Sequence, residues 1–149
     1  MKRTTVTFFS RKTALPNSRV TSSRDVLPHL ADLREIDREV FVVLVLNARN
    51  AVLAKELISV GTTASSLIHP AQIFKPAILA GSVAIVVAHN HPSGDVTPSV
   101  EDDAVTKRLV AAGEILGIKV LDHIIVAGEH DFFSYSESRP KHLTPETRS

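Results

Sequence analysis

"VAIVVAHNHPSGDVTPSVEDDAVTKRLVAAGEILG", residues 83–117, decides the fold. Its first seven residues are apolar on both faces, the pattern of a central strand covered from both sides. "PSGDVTP" (92–98) is rich in turn-forming residues and reverses the chain. From Ser99 to Gly117, Val105, Leu109, Ala112 and Leu116 recur at helical spacing, and Gly117 suits the stop. A strand, a tight return and an amphipathic helix make half of an α/β unit. "IKVLDHIIVAG" (118–128) supplies the next buried strand.

Working outward, "EVFVVLVLN" (39–47) is a continuous β-branched and aromatic run, stopped by "NARN" and followed by "AVLAKELIS" (51–59). Two such runs around a polar turn read as a hairpin. "HPAQIFKPAILAG" (69–81) has helical spacing through Ile73, Ala77, Ile78 and Ala80, closes on Gly81 and carries Pro76 as a possible kink. "RDVLPHLADLRE" (24–35), capped from Ser22 or Ser23, reads as a helix with Pro28 near its first turn. "DFFSYSE" (131–137) closes the domain. The fold class expected is α/β, a mixed β-sheet flanked by helices, in one domain over 23–136, with an N-terminal arm at 1–22 and a C-terminal tail at 137–149.

The chain has 149 residues, 44% of them hydrophobic, which suffices for one buried core. With 17 basic and 16 acidic residues it carries no global field to recruit nucleic acid or an anionic membrane. No apolar run approaches the ~20 residues that span a bilayer, and "MKR" is followed by polar "TTVT", so the chain reads as cytoplasmic. It contains no cysteine, which excludes disulfides and thiolate metal sites. Any metal must be held by nitrogen and oxygen.

His89 and His91 end the central strand, and residues i and i+2 of a strand share a face. Asn90 points away. The turn brings Asp102, in the first turn of the next helix, back toward both rings. Two imidazoles and a carboxylate leave a tetrahedral zinc one open position, the arrangement of a catalytic site. Ser99-x-x-Asp102 also fits a capping box. The cap does not account for the histidines, and Ser99 can cap while offering its hydroxyl to the site. Asp122 and His123 read as a satisfied core pair, with a supporting role at the site as the alternative. His29, His69, His130 and His142 read as ordinary polar residues, all but His69 exposed.

A hydrolase also needs a base. Alternation in "AVLAKELIS" places Glu56 among Val52, Ala54 and Ile58, an expensive setting for an unpaired charge and a suitable one for a proton shuttle. The competing readings are an edge position from which Glu56 reaches solvent, and Glu35 or Glu39 as the base.

"HNHPSGDVTPSVED" resembles the JAMM/MPN metalloprotease signature, H-x-H-P, six residues, S-x-x-D. Within that superfamily, "AHNHPSGD" and "LGIKVLDHIIV" resemble the RadC family, over about Ser23 to Tyr135. The resemblance implies an MPN/JAB-type fold similar to cytidine deaminases. It also implies one zinc per chain on His89, His91 and Asp102, Glu56 within "KELISVGT" as the catalytic glutamate, and Ser99 as the hydroxyl that stabilises the oxyanion. The activity implied is hydrolysis of a peptide or isopeptide bond in a protein substrate. A DNA-associated factor without proteolysis and a non-catalytic MPN scaffold are the alternatives. A nucleobase deaminase is excluded because its zinc site needs cysteines. RadC proteins usually carry an N-terminal helix-hairpin-helix region, for which the arm leaves no room, and "FFSYSESR" matches the family's ending only loosely.

Overall fold

In a computed structural model, residues 18–61 and 68–147 are described; most of the expected arm lies outside them. Five strands form one mixed sheet in the order β2-β1-β3-β4-β5. They are β1 (Glu39–Leu46), β2 (Val52–Gly61), β3 (Ala84–Asn90), β4 (Lys119–Ala127) and β5 (Asp131–Ser134). β1 pairs antiparallel with both β2 and β3, β3 runs parallel to β4, and β4 pairs antiparallel with β5. The parallel step requires a crossover, and the amphipathic run after the turn provides it.

The unbroken apolar pattern of β1 and β3 reflects burial on both faces. On one face, Val40, Val42, Leu44 and Leu46 of β1 join Val86, Ala88, Ile124 and Val126 beneath Val26, Leu30 and Leu33. On the other, Phe41, Val43, Val45, Ile85, Val87 and Val120 pack under two helices. These are α2 (Pro70–Ala80), which brings Ile73, Phe74 and Ala77, and α3 (Val100–Leu116), which brings Val105, Leu109 and Val110. Gly113 lets α3 sit down on the start of β4: a Cβ there would lie 2.3 Å from the Ile118 carbonyl oxygen.

Two expectations need correction. The first helix is α-helical only over α1 (Ser23–Val26) and continues as a 3-10 helix over Leu27–Glu35. Pro28 has no N–H for the bond back to Arg24, and the Leu27 N–H takes the Arg24 carbonyl instead. His29 is buried, not exposed, and its Nε2 lies 2.7 Å from Ser18 Oγ. Beyond β5, the short helix α4 (Tyr135–Ser138) and a 3-10 turn at Pro140–Leu143 follow, and Leu143 packs against the core beside α3.

Candidate metal centre

His89 is fully buried at the C-terminal end of β3. Its ring stacks on Phe41, its register partner on β1, with centroids 5.5 Å apart and planes at 10°. The next residue turns to the opposite face. Asn90 Oδ1 accepts from the Val40 N–H at 2.7 Å, and Nδ2 donates to the Arg38 carbonyl at 2.9 Å. His91 returns to the first face, its N–H donating to the Val126 carbonyl of β4 at 2.9 Å. Gly94 takes a φ of +92°, open to glycine at little cost, and the turn it makes brings the Asp95 carbonyl to 2.8 Å from His91 Nδ1. A carbonyl only accepts, so Nδ1 is the donor and Nε2 faces inward.

The same turn delivers α3. Ser99 caps it, its Oγ accepting from the Asp102 N–H at 3.0 Å while the Ser99 N–H donates to Asp102 Oδ2 at 2.9 Å. The reciprocal cap fixes the carboxylate. Asp102 Oδ1 lies 3.2 Å from His89 Nε2, Oδ2 lies 3.2 Å from His91 Nε2, and the two Nε2 atoms are 3.0 Å apart. Cap and candidate ligand are therefore one residue. Glu39 Oε1 stands 3.9 Å from His89 Nε2.

One ligand atom from each of Glu39, His89, His91 and Asp102 falls within 4.8 Å of the others. Ligands at zinc's bond lengths of about 2.1 Å lie roughly 3.4 Å apart in a tetrahedron, so the spacing fits. The charge fits as well. Burial disfavours the Asp102 carboxylate, yet its contacts with His89 and His91 outweigh that and hold it well below the usual carboxylate range. Burial likewise works against charge on His91, but Asp102 and the Asp95 carbonyl raise it. Both directions favour positive charge beside the Asp102 carboxylate.

Of the two glutamates weighed for the base role nearest the sheet, Glu39 is brought to this cluster and Glu56 is not. Phe41 faces His89, so antiparallel pairing sets Glu39, two residues earlier, beside His91 at the open end of the sheet. Asn90 grips the backbone on both sides of Glu39. Glu56 pairs with Val43 on β2, two strands away and further down the sheet, about 12 Å from His89 at standard strand spacings. It lines a different cavity of about 460 Å³, between β2 and α2, with Leu53, Ile58, Lys75 and Leu79. Alternation along one strand gave Glu56 its setting. The antiparallel pairing of the first and third strands, which no local pattern contains, is the signal that singles out Glu39. Glu35 is exposed at the end of the 3-10 helix.

Asp122 and His123 are not a pair, because consecutive strand residues face opposite sides. Asp122 accepts from the His123 N–H, the Ser134 and Ser136 hydroxyls and the Ser136 N–H; burial nonetheless raises its pKa. His123 faces the cluster, its Nε2 2.9 Å from His89 Nδ1 and its Nδ1 2.6 Å from Thr106 Oγ1. Full burial pushes His123 well below the usual histidine range. Tyr135 stacks beneath it at 4.9 Å and 11°, and donates to Asp103 Oδ1, which Arg139 also holds. Thr106 drew no attention in the sequence, being one threonine in a helix. His69 and His130 are exposed, while His142 is partly buried 3.9 Å from Asp103.

A family model described as the RadC-like JAB domain matches residues 20–140. A UPF0758 protein of Desulforamulus reducens is 55% identical over 105 residues, covering 70% of this chain and 46% of the relative. A UPF0758 protein of Staphylococcus haemolyticus is 51% identical over 120 residues, covering 80% of this chain and 52% of the relative. The chain thus spans about half the length of the curated relatives it matches.

Proposed function

The chain belongs to the family of RadC-like JAB domains, and on that footing we propose that it is a zinc-dependent hydrolase of the JAMM type, acting on a peptide or isopeptide bond. The observation that carries this reading is the convergence of two imidazole Nε2 atoms and the Asp102 carboxylate at 3.0 to 3.2 Å, with a second carboxylate standing back at 3.9 Å. His89, His91 and Asp102 would hold one zinc ion. Bound there, zinc supplies Lewis-acid chemistry, acidifying water and polarising a carbonyl.

The remaining work falls to side chains of this chain. Glu39 is the base in this reading: at the open end of the sheet and partly exposed, it takes a proton from the attacking water and returns it to the leaving amine. The Ser99 oxygen accepts from Asp102 N–H, which leaves its own O–H to donate to the oxyanion at the mouth of the site. Phe41 stacked on His89 keeps one side of that ring dry. Asn90 fixes the backbone from which Glu39 projects.

The test combines metal content with cleavage. Purified wild type should carry one zinc per chain by elemental analysis, and His89→Ala and His91→Ala should lose it; equal metal in all three would remove the site. Against peptide and isopeptide-linked protein libraries, Glu39→Gln should keep zinc and lose about 10² to 10⁴ in rate, the usual cost of losing a general base. Glu56→Gln should cleave as wild type does. The reverse pattern would return the base role to Glu56.

A further inference from the structure

We infer that His123 and Thr106 are positioning residues for the metal centre, fixing a proton on Nδ1 of His89 and so turning His89 Nε2 toward Asp102 and His91. The inference rests on the reading of that cluster as a metal site. It deepens that reading by adding two residues that act through the candidate ligands His89 and Asp102.

One group in the chain of contacts has no choice of role. The backbone carbonyl of Asp102 can only accept, and Thr106 Oγ1 lies 2.8 Å from it, so the hydroxyl proton points there. Toward His123, Thr106 Oγ1 is then an acceptor, and His123 Nδ1 must be the donor across 2.6 Å. His123 is fully buried and, among the described residues, its ring nitrogens bond an imidazole and a hydroxyl and no carboxylate, a setting that holds a neutral ring. A neutral imidazole has one N–H, so His123 Nε2 accepts. His89 Nδ1, 2.9 Å away, is thereby the donor, and Nε2 is the nitrogen that faces Asp102 Oδ1 at 3.2 Å.

Neither ring is free to turn and undo this order. Phe41 stacks on His89 and Tyr135 on His123, with interplanar angles of 10° and 11°. The relay runs from His89 on β3 through His123 on β4 and Thr106 on α3 to the backbone of Asp102, one helical turn before Thr106. It therefore links one candidate ligand to another across three elements. A metal-binding histidine usually donates its second N–H to a carboxylate, carbonyl or water. Here the acceptor is a second imidazole, whose orientation a threonine hydroxyl sets.

Two substitutions at Thr106 separate the relay from packing. Thr106→Val keeps the volume and removes the hydroxyl; Thr106→Ser keeps the hydroxyl and removes a methyl. The primary measurement is the tautomer of His89 and His123 in metal-free protein, read from two-bond ¹⁵N–¹H correlation spectra. The second is zinc affinity by competition with a chromophoric chelator. Wild type and Thr106→Ser should show the proton on Nδ1 of both rings and bind zinc alike. Thr106→Val should partly remove the proton from Nδ1 of His89 and weaken zinc binding by about 10- to 100-fold, the range for losing an outer partner of a ligand. A wild-type His89 without a proton on Nδ1 would overturn the inference, whatever the folding of the variants. So would a Val variant that keeps tautomer and affinity, or a Ser variant that falls as far as Val. Because the tautomer is read without metal or substrate, failure of the hydrolase reading leaves this test intact. Failure of the relay in a zinc-binding wild type leaves the hydrolase reading intact.

Discussion

Replacing Asp102 with Asn, and separately with Ala, divides the two roles that the structure gives one carboxylate. As part of the cap, Asp102 accepts from the Ser99 N–H at 2.9 Å. Asn retains a carbonyl oxygen for that bond, while Ala loses it. A hydrogen bond to a charged acceptor contributes about 1.5 to 3 kcal/mol, and a negative charge in the first helical turn about 0.3 to 1 kcal/mol. Metal-free Asp102→Ala should thus be destabilised by about 2 to 3 kcal/mol and Asp102→Asn by about 1 kcal/mol or less. As a ligand the residue behaves differently, because an amide nitrogen placed toward His89 or His91 Nε2 donates where a metal needs a lone pair. Zinc at 100 times its Kd stabilises the native state by about 2.7 kcal/mol, which for a domain of this size raises Tm by roughly 5 to 10 °C. If Asn weakens binding about 100-fold, the same zinc concentration adds only about 0.4 kcal/mol, or roughly 1 °C. Thermal melts with and without added zinc, monitored by far-UV circular dichroism, read both effects. An Asp102→Asn protein with the full zinc-induced rise would show that Asp102 only caps α3.

Two further outcomes follow from the same geometry. In metal-free protein, stability measured by denaturant midpoint should fall as pH drops below about 6.5, because the unfolded chain protonates histidines that burial keeps neutral in His123 and His29. His91 opposes this: its raised pKa gives a contribution fully present below about 6.5 and lost as pH climbs through the raised value. His91→Asn should therefore abolish a gain in stability that wild type shows as pH falls from the raised value to about 6.5, leaving the loss below 6.5 in place, and a midpoint profile unchanged above 6.5 would refute the sign. At the far end of the sheet, Gly113→Ala removes a helix-interior glycine, a change worth up to about 1 kcal/mol in favour of the helix. The added Cβ would meet the Ile118 backbone carbonyl at 2.3 Å and Phe74 at 3.3 Å, so a net loss of about 1 to 3 kcal/mol is expected in calorimetry. A rise in Tm would show that α3 can lift off β4 at little cost.

Much of this protein is written locally in its sequence. Burial on both faces is recorded as an unbroken apolar run, so β1, β3 and β4 could be read from residue type alone. Period-two geometry put His89 and His91 on one side and Asn90 on the other, and the Ser99-x-x-Asp102 spacing is a property of one helical turn. A candidate metal trio drawn from a strand end, a short turn and a helix start needs little beyond its own 14 residues. The carboxylate that joins this trio, the contacts behind His89 and the form of the first helix do not have that character. Glu39 lies 50 residues before His89 and reaches it because β1 pairs antiparallel with β3. His123 meets His89, and Thr106 meets His123, because α3 crosses over to set β4 parallel beside β3. Side-chain period depends on dihedrals within one element, whereas strand order depends on how all the elements share a core. For that reason the sequence alone reached the candidate ligands, and only the tertiary structure decided which carboxylate and which third histidine stand beside them.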